Sequence, residues 1–137
     1  MASPSFELQV AIVTRLKATA AVTAFVGNRV YDSVPDNPVF PYITVGEGDE
    51  TSDDADCIDG LEISLDIDVW SRGSGFPEAK KISDEIRKAL KTPELTIPTN
   101  ALVYFRHRQT RFLRDPDGKT SHAVLQFEAF VEQPEEV

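Results

Sequence analysis

Few residues in this sequence are equipped for catalysis or metal chemistry, and their spacing does not favour either. There is one cysteine and there are two histidines: Cys57, His107 and His122. A zinc site needs about four nitrogen or sulfur ligands close in space. In the strand register argued below, the two histidines fall on opposite faces of a sheet and read as ordinary strand residues. A reactive cysteine needs an electropositive niche to hold its thiolate. Cys57 instead stands among Asp53, Asp54, Asp56 and Asp59 and reads as incidental. No nucleophile elbow, P-loop or dinucleotide fingerprint is present, and Arg72-Gly73-Ser74-Gly75 lacks the P-loop lysine. The acidic run also departs from a calcium-binding loop. Asp54 and Asp56 suit positions 1 and 3, but Ile58, Asp59 and Leu65 occupy 5, 6 and 12. The loop needs a ligand, a glycine and a bidentate glutamate there, which leaves at most weak magnesium or calcium binding. No catalytic residue, cofactor or metal is therefore expected.

Charge is distributed more tellingly. Ten acidic residues lie between Glu47 and Asp68, with no lysine or arginine among them: Glu47, Asp49, Glu50, Asp53, Asp54, Asp56, Asp59, Glu62, Asp66 and Asp68. Arg106, Arg108, Arg111, Arg114 and Lys119 follow later, against only Asp115 and Asp117. One hairpin is expected to be acidic and another basic. Two solvated faces compensating within a monomer is one reading. The other is association of one copy's acidic edge with the next copy's basic edge, and such head-to-tail contacts build rings or filaments.

The 137 residues make one domain, 1–137, with 41% hydrophobic content, enough for a packed core. Lysine and arginine number 14 against 23 aspartates and glutamates, a net charge of −9. That sign opposes general nucleic-acid binding and docking on an anionic membrane. A single cysteine excludes an internal disulfide framework and fits a reducing compartment. No apolar run approaches the roughly 20 residues of a membrane span. The start, MASPSFELQV, has no basic n-region, so no signal peptide is expected, and it lacks the glycine needed for myristoylation.

The elements that must carry these charges follow from hydrophobic spacing. Leu8, Ile12 and Leu16 recur at helical spacing, with Ser5 as the expected N-cap, Glu7 in the first turn, a kink or restart near Thr19 and Gly27 closing the helix. Short strands are expected at Arg29–Val34 and Tyr42–Val45, at a sheet edge because prolines flank them. Glu50–Asp59 is expected to be a mobile acidic loop. Leu61, Ile63, Leu65, Ile67 and Val69 alternate with Glu62, Ser64, Asp66 and Asp68, the pattern of a strand with one buried face. Pro77–Leu90 is an amphipathic helix with Ala79, Ile82, Ile86, Ala89 and Leu90 as its stripe.

The last two strands form a hairpin. Asp115-Pro116-Asp117-Gly118-Lys119 reads as a three-residue loop that pairs Asp115 with Lys119. Down the ladder this sets Phe105 against Ala129, Val103 against Val131 and Arg106 against Glu128. The fold class is α+β: an antiparallel or mixed sheet of about five strands with two main helices on one face.

Four segments in this order resemble one family: Gly27-Asn28-Arg29-Val30-Tyr31-Asp32; Pro41-Tyr42-Ile43-Thr44-Val45-Gly46-Glu47; Asp68-Val69-Trp70-Ser71 leading into Glu78-Ala79-Lys80-Lys81; and Leu113 through His122. It is the family of small tail-completion proteins of long-tailed bacteriophages, prophages and gene transfer agents. The resemblance runs from Leu8 to Glu132, and Glu50–Asp59 is not part of it. It implies a structural virion protein without catalysis or cofactor, a tail terminator. Such a subunit joins a homo-oligomeric ring, usually a hexamer, that caps the head-proximal end of the tail tube, stops its polymerisation and offers the head–tail connector a docking surface. Tail tube protein and connector are then the partners, and DNA passes through the channel without specific binding. On that reading Asp53, Asp54, Asp56, Asp59, Glu62, Asp66 and Asp68 are candidates for a channel-facing or stacking-blocking surface. Trp70, Arg106, Arg108, Arg111 and Arg114 are candidates for the subunit interface, although Trp70 tucked beneath the following loop is an equal reading. Two alternatives remain: a head–tail connector or stopper ring, and a small ligand-binding or enzymatic α+β domain.

Overall fold

The computed structural model describes residues 3–54 and 59–134. Eight elements follow one another: α1 (Pro4–Ala18), α2 (Ala20–Val26), β1 (Val30–Tyr31), β2 (Tyr42–Ser52), β3 (Asp59–Ser71), α3 (Pro77–Lys91), β4 (Ala101–Arg114) and β5 (Ser121–Gln133). The five strands form one mixed sheet in the order β1-β2-β3-β5-β4. The β1–β2 pair is parallel, and the β2–β3, β3–β5 and β5–β4 pairs are antiparallel. This is the expected α+β class, with the helices on one face.

α1 begins one turn-residue pair earlier than expected. Ser3, not Ser5, is its N-cap, with its hydroxyl accepting from the Phe6 N–H and Pro4 taking the first helical position. Proline there loses nothing, because that N–H has no helical partner. The expected restart is present: Thr19 is extended, and α2 leaves α1 at 82°. Gly27 closes α2 at φ 58°. Among the described residues no single helix is long and apolar enough to cross a membrane.

The core lies between the helices and the odd-numbered residues of β3 and β5. Leu8, Ile12, Leu16, Ile82 and Ile86 meet Ile63, Ile67, Val69, Leu125 and Val131, all almost wholly buried. The five-residue stripe expected on α3 is buried throughout. Two polar clips fix the helices. Arg15 of α1 donates to the carbonyls of Ala89 and Pro93, at 2.8 and 2.7 Å, and so satisfies the end of α3. Glu7 serves more than the helix dipole. It is buried and accepts from the Thr99 N–H and hydroxyl and from Asn100, tying α1 to the entry of β4. Burial alone would raise its carboxyl, but those hydrogen bonds outweigh it and hold the pKa below the ordinary value.

Three strand expectations are corrected. β1 is only two residues long, because the chain turns away after Tyr31 through a loop containing Pro35, Pro38 and a left-handed Asn37. β2 does not stop at Val45. A bulge at Gly46 lets it continue to Ser52, paired with Asp66 through Leu61 of β3. Glu50, Thr51, Ser52 and Asp59 therefore belong to strands rather than to an acidic loop. Asp56 and Cys57 lie outside the described residues.

The third correction concerns the β4–β5 hairpin. Phe105 faces Ala129 and Arg106 faces Glu128 as expected, but Leu102, not Val103, faces Val131. The turn is one residue longer than expected: the Asp115 N–H donates to the Thr120 carbonyl, and Gly118, at φ 72°, donates to the Asp115 carbonyl. Irregularities at Arg108 and Val103 then shift the register by one residue each. The first restores the expected pairs around Arg106, and the second moves Val103 out to an exposed position.

Candidate interaction surface

Among the described residues the second face of the sheet carries no helix, and its composition changes from strand to strand. On β2 and β3 it presents Glu47 opposite Asp66, Asp49 opposite Ser64 and Thr51 opposite Glu62. On β4 it presents Arg106 opposite Glu128 and Arg111 opposite Val124. One side is therefore acidic and the far edge basic, within a single sheet. An aromatic row crosses one end of this face, since Tyr42, Trp70 and His122 are cross-strand neighbours on β2, β3 and β5.

Trp70 occupies the middle of that row. Its ring stacks on His122 at 3.7 Å, lies 6.3 Å from Tyr42, and its indole N–H donates to the Thr44 hydroxyl at 3.2 Å. It remains half-buried, and Tyr42, His122 and Thr44 around it belong to the sheet rather than to the loop that follows it. His122 Nε2 lies 2.7 Å from Asp68 Oδ1. Asp68 is thus on the expected face but is 93% buried, its exposure being 7%. It is engaged by His122 and adds little to an open acidic surface, which corrects its expected solvent-facing role.

Glu62, Asp53, Asp54 and Asp59 are exposed, with Asp53 and Asp54 just past the end of β2. Asp53 and Asp54 close the acidic hairpin: the Asp53 N–H donates to Gly60, and Asp54 accepts from the Gly60 N–H. Asp66 is half-buried. Burial and then the charges of Asp68 and Glu47 raise its carboxyl, and Arg111 opposes them. A raised pKa means that the fold disfavours the charged form. Its contribution to stability is complete at low pH and lost as pH rises through the folded value. Asp66→Asn is accordingly expected to raise the melting temperature by a few degrees at pH 7 and to match the parent near pH 3. An equal gain at both pH values would refute the charge explanation.

The arginines are unequally available. Arg106 binds Glu128 at 2.8 Å and lies over the Tyr104 ring at 4.5 Å. Arg114 covers Phe76 at 4.6 Å on the helix side of the sheet. Arg108 and Arg111 are exposed on β4. The two histidines do lie on opposite faces: His107 packs edge-on against Phe127 on the core side, where burial and then Arg87 push its imidazole down. Among the described residues no group of three or more His, Cys, Asp or Glu is arranged to hold a metal ion. Glu7, Arg15 and Asp68 were missed as structural anchors. Spacing along the chain carries no signal for partners more than 50 residues away.

This face offers charge, aromatic rings and strand edges, the means by which one protein seats on another. The chain belongs to the tail completion protein gp17 family, whose model matches residues 10–132. It is 27% identical to tail completion protein gp17 of Bacillus phage SPP1 over 118 residues, 86% of this chain and 87% of that protein. Its fold matches a chain in the virion of a native gene transfer agent particle with a TM-score of 0.87 and 27% identity. That match covers 96% of this chain and 99% of the other. The SPP1 gp17 structure matches at a TM-score of 0.63 with 24% identity, over 91% and 88% of the two chains, a likeness of fold.

Proposed function

We propose that this chain is a structural virion subunit that closes into a ring at the head-proximal end of a tail tube, ends tube growth and offers the head–tail connector its docking surface. Family membership supports the tail-completion role, and the match to a gene transfer agent particle supports a place in the virion. The observation that carries the ring is the helix-free face, acidic at one side and basic at the other, because unlike patches on opposite sides associate head to tail.

In this reading the exposed acids Glu47, Asp49 and Glu62, with the half-buried Asp66 between them, line the channel. Like charges repel phosphate there, so DNA slides through without sticking. Asp53, Asp54 and Asp59 mark the side where a second ring must not stack, since two stacked copies would oppose like charges. Trp70, Arg106, Arg108, Arg111 and Arg114 face the neighbouring subunit. The role requires no catalysis and no cofactor.

The deciding experiment is electron microscopy of polymerising cognate tail tube protein with and without this chain. Shortened tubes capped by closed rings are expected. Unchanged tube length would overturn the terminator and favour an adjacent connector ring.

A further inference from the structure

The sheet ends in two unpaired strand edges. β4 is the last strand in the order, so among the described residues no strand lies beside Ala101–Arg114 on one side. At the other end β1 pairs with Ile43 and Thr44, which leaves the outer side of Glu47–Ser52 of β2 with no strand beside it among the described residues, every residue exposed. Open edges of this kind are normally covered or blunted, because their unpaired N–H and C=O groups recruit other strands. The irregularities at Val103 and Arg108 blunt part of β4, but Gln109–Arg114 keeps one unbroken register with β5. Glu47–Ser52 keeps one unbroken register with β3. Both runs are six residues long.

We propose that Gln109–Arg114 of one copy pairs through its main chain with Glu47–Ser52 of the next, so that the sheet continues from subunit to subunit. This rests on the ring reading and names the bond that would hold it. Charge selects the pair. Glu47, Asp49 and Glu50 stand on one run and Arg111 and Arg114 on the other. Pairing β4 with a second β4, or β2 with a second β2, would set like charges side by side, which destabilises a ladder. Only the mixed pair joins unlike charges, and it is head to tail. The faces match as well. Continuing the pleat places Arg111 on the face of Glu47 and Asp49, and Arg114 on the helix-side face of Glu50, whose carboxylate accepts from Ser5 of α1. Strand sense agrees too. Through three antiparallel pairings, β2 and β4 of one sheet run in opposite directions. A copy rotated about an axis along the strands therefore presents its β2 antiparallel to β4.

The main-chain groups available are identifiable. The Asp115 N–H points at Thr120 of β5. By the alternation of an antiparallel ladder, Leu113, Arg111 and Gln109 also face β5, and Arg114, Phe112 and Thr110 face outward. Amide hydrogen exchange, measured on the full chain across a dilution series from oligomer to monomer, tests this directly. In the oligomer the amides of Thr110, Phe112 and Arg114 are expected to slow by about tenfold or more, while Leu113 and Arg111 are protected in both states. Arg111→Glu and Asp49→Lys should each weaken assembly, and the double exchange should restore it. An oligomer whose outward β4 amides exchange as in the monomer would overturn strand pairing and leave the ring standing. A chain that stays monomeric at every concentration, with and without tube protein, would overturn both.

Discussion

Reversing Arg106, Arg108 and Arg111 together to glutamate is expected to dissociate the assembly while the monomer stays folded. The three residues lie on the basic edge strand, and the surface they are proposed to meet carries Glu47, Asp49 and Glu50. Single exposed ion pairs contribute little, so the effect must come from the three acting together. Reversal replaces attraction by repulsion at each position, and association should weaken by about tenfold or more at ordinary salt. The parent oligomer should weaken as salt rises, because exposed charges are screened beyond about 8–10 Å.

Inside the subunit the cost is confined to Arg106, where glutamate would face Glu128 across the ladder, and to Arg111, which moderates the charge on Asp66. Circular dichroism should therefore show a folded monomer with a lowered melting temperature. Light scattering reads the outcome: a triple variant with the parent's oligomer mass would remove β4 from the interface.

The largest loss of stability is expected from Leu125→Ala. Leu125 is wholly buried on β5, between Ile67 of β3 and Thr110 of β4. β5 joins the acidic half of the sheet to the basic edge, and α3 packs across β3, β5 and β4 on the core side. Removing the isobutyl group forfeits its transfer free energy and leaves a cavity that rigid neighbours cannot fill, a loss of about 3 kcal/mol. Against a total stability of about 5–15 kcal/mol this is severe. Denaturant unfolding should show the midpoint falling with the slope unchanged. A change below about 1 kcal/mol would mean that the helices and sheet close over the gap, contrary to close packing.

Local chemistry settled much of this molecule in advance. The unbroken alternation from Leu61 to Val69 required a strand with one buried face. The stripe on Pro77–Leu90 required a helix lying on a core, and the kink or restart expected near Thr19 is the break between α1 and α2. Each signal depends on residues a few positions apart, so the chain itself contains it. The separation of ten acids from a later cluster of arginines is equally a property of the sequence.

Other features exist only because distant segments meet. Glu47–Ser52 has little apolar content and becomes a strand because β3 supplies its hydrogen-bond partners. The hairpin register around Arg106 was read correctly, but through a turn one residue too short, and the irregularity at Arg108 compensates. Asp68 looked like its exposed neighbours until folding brought His122 from 54 residues away to hydrogen-bond with it and cover it. Glu7 looked like a helix-dipole carboxylate until Thr99 and Asn100 arrived from 92 and 93 residues away. The strand order, which inserts β5 between β3 and β4, left the basic strand at an edge and put the acidic strand toward the other. The sequence set the charges and the periodicities. Non-local strand pairing, whose partners no spacing rule encodes, decided which of those charges face open water and which edges are left to bind.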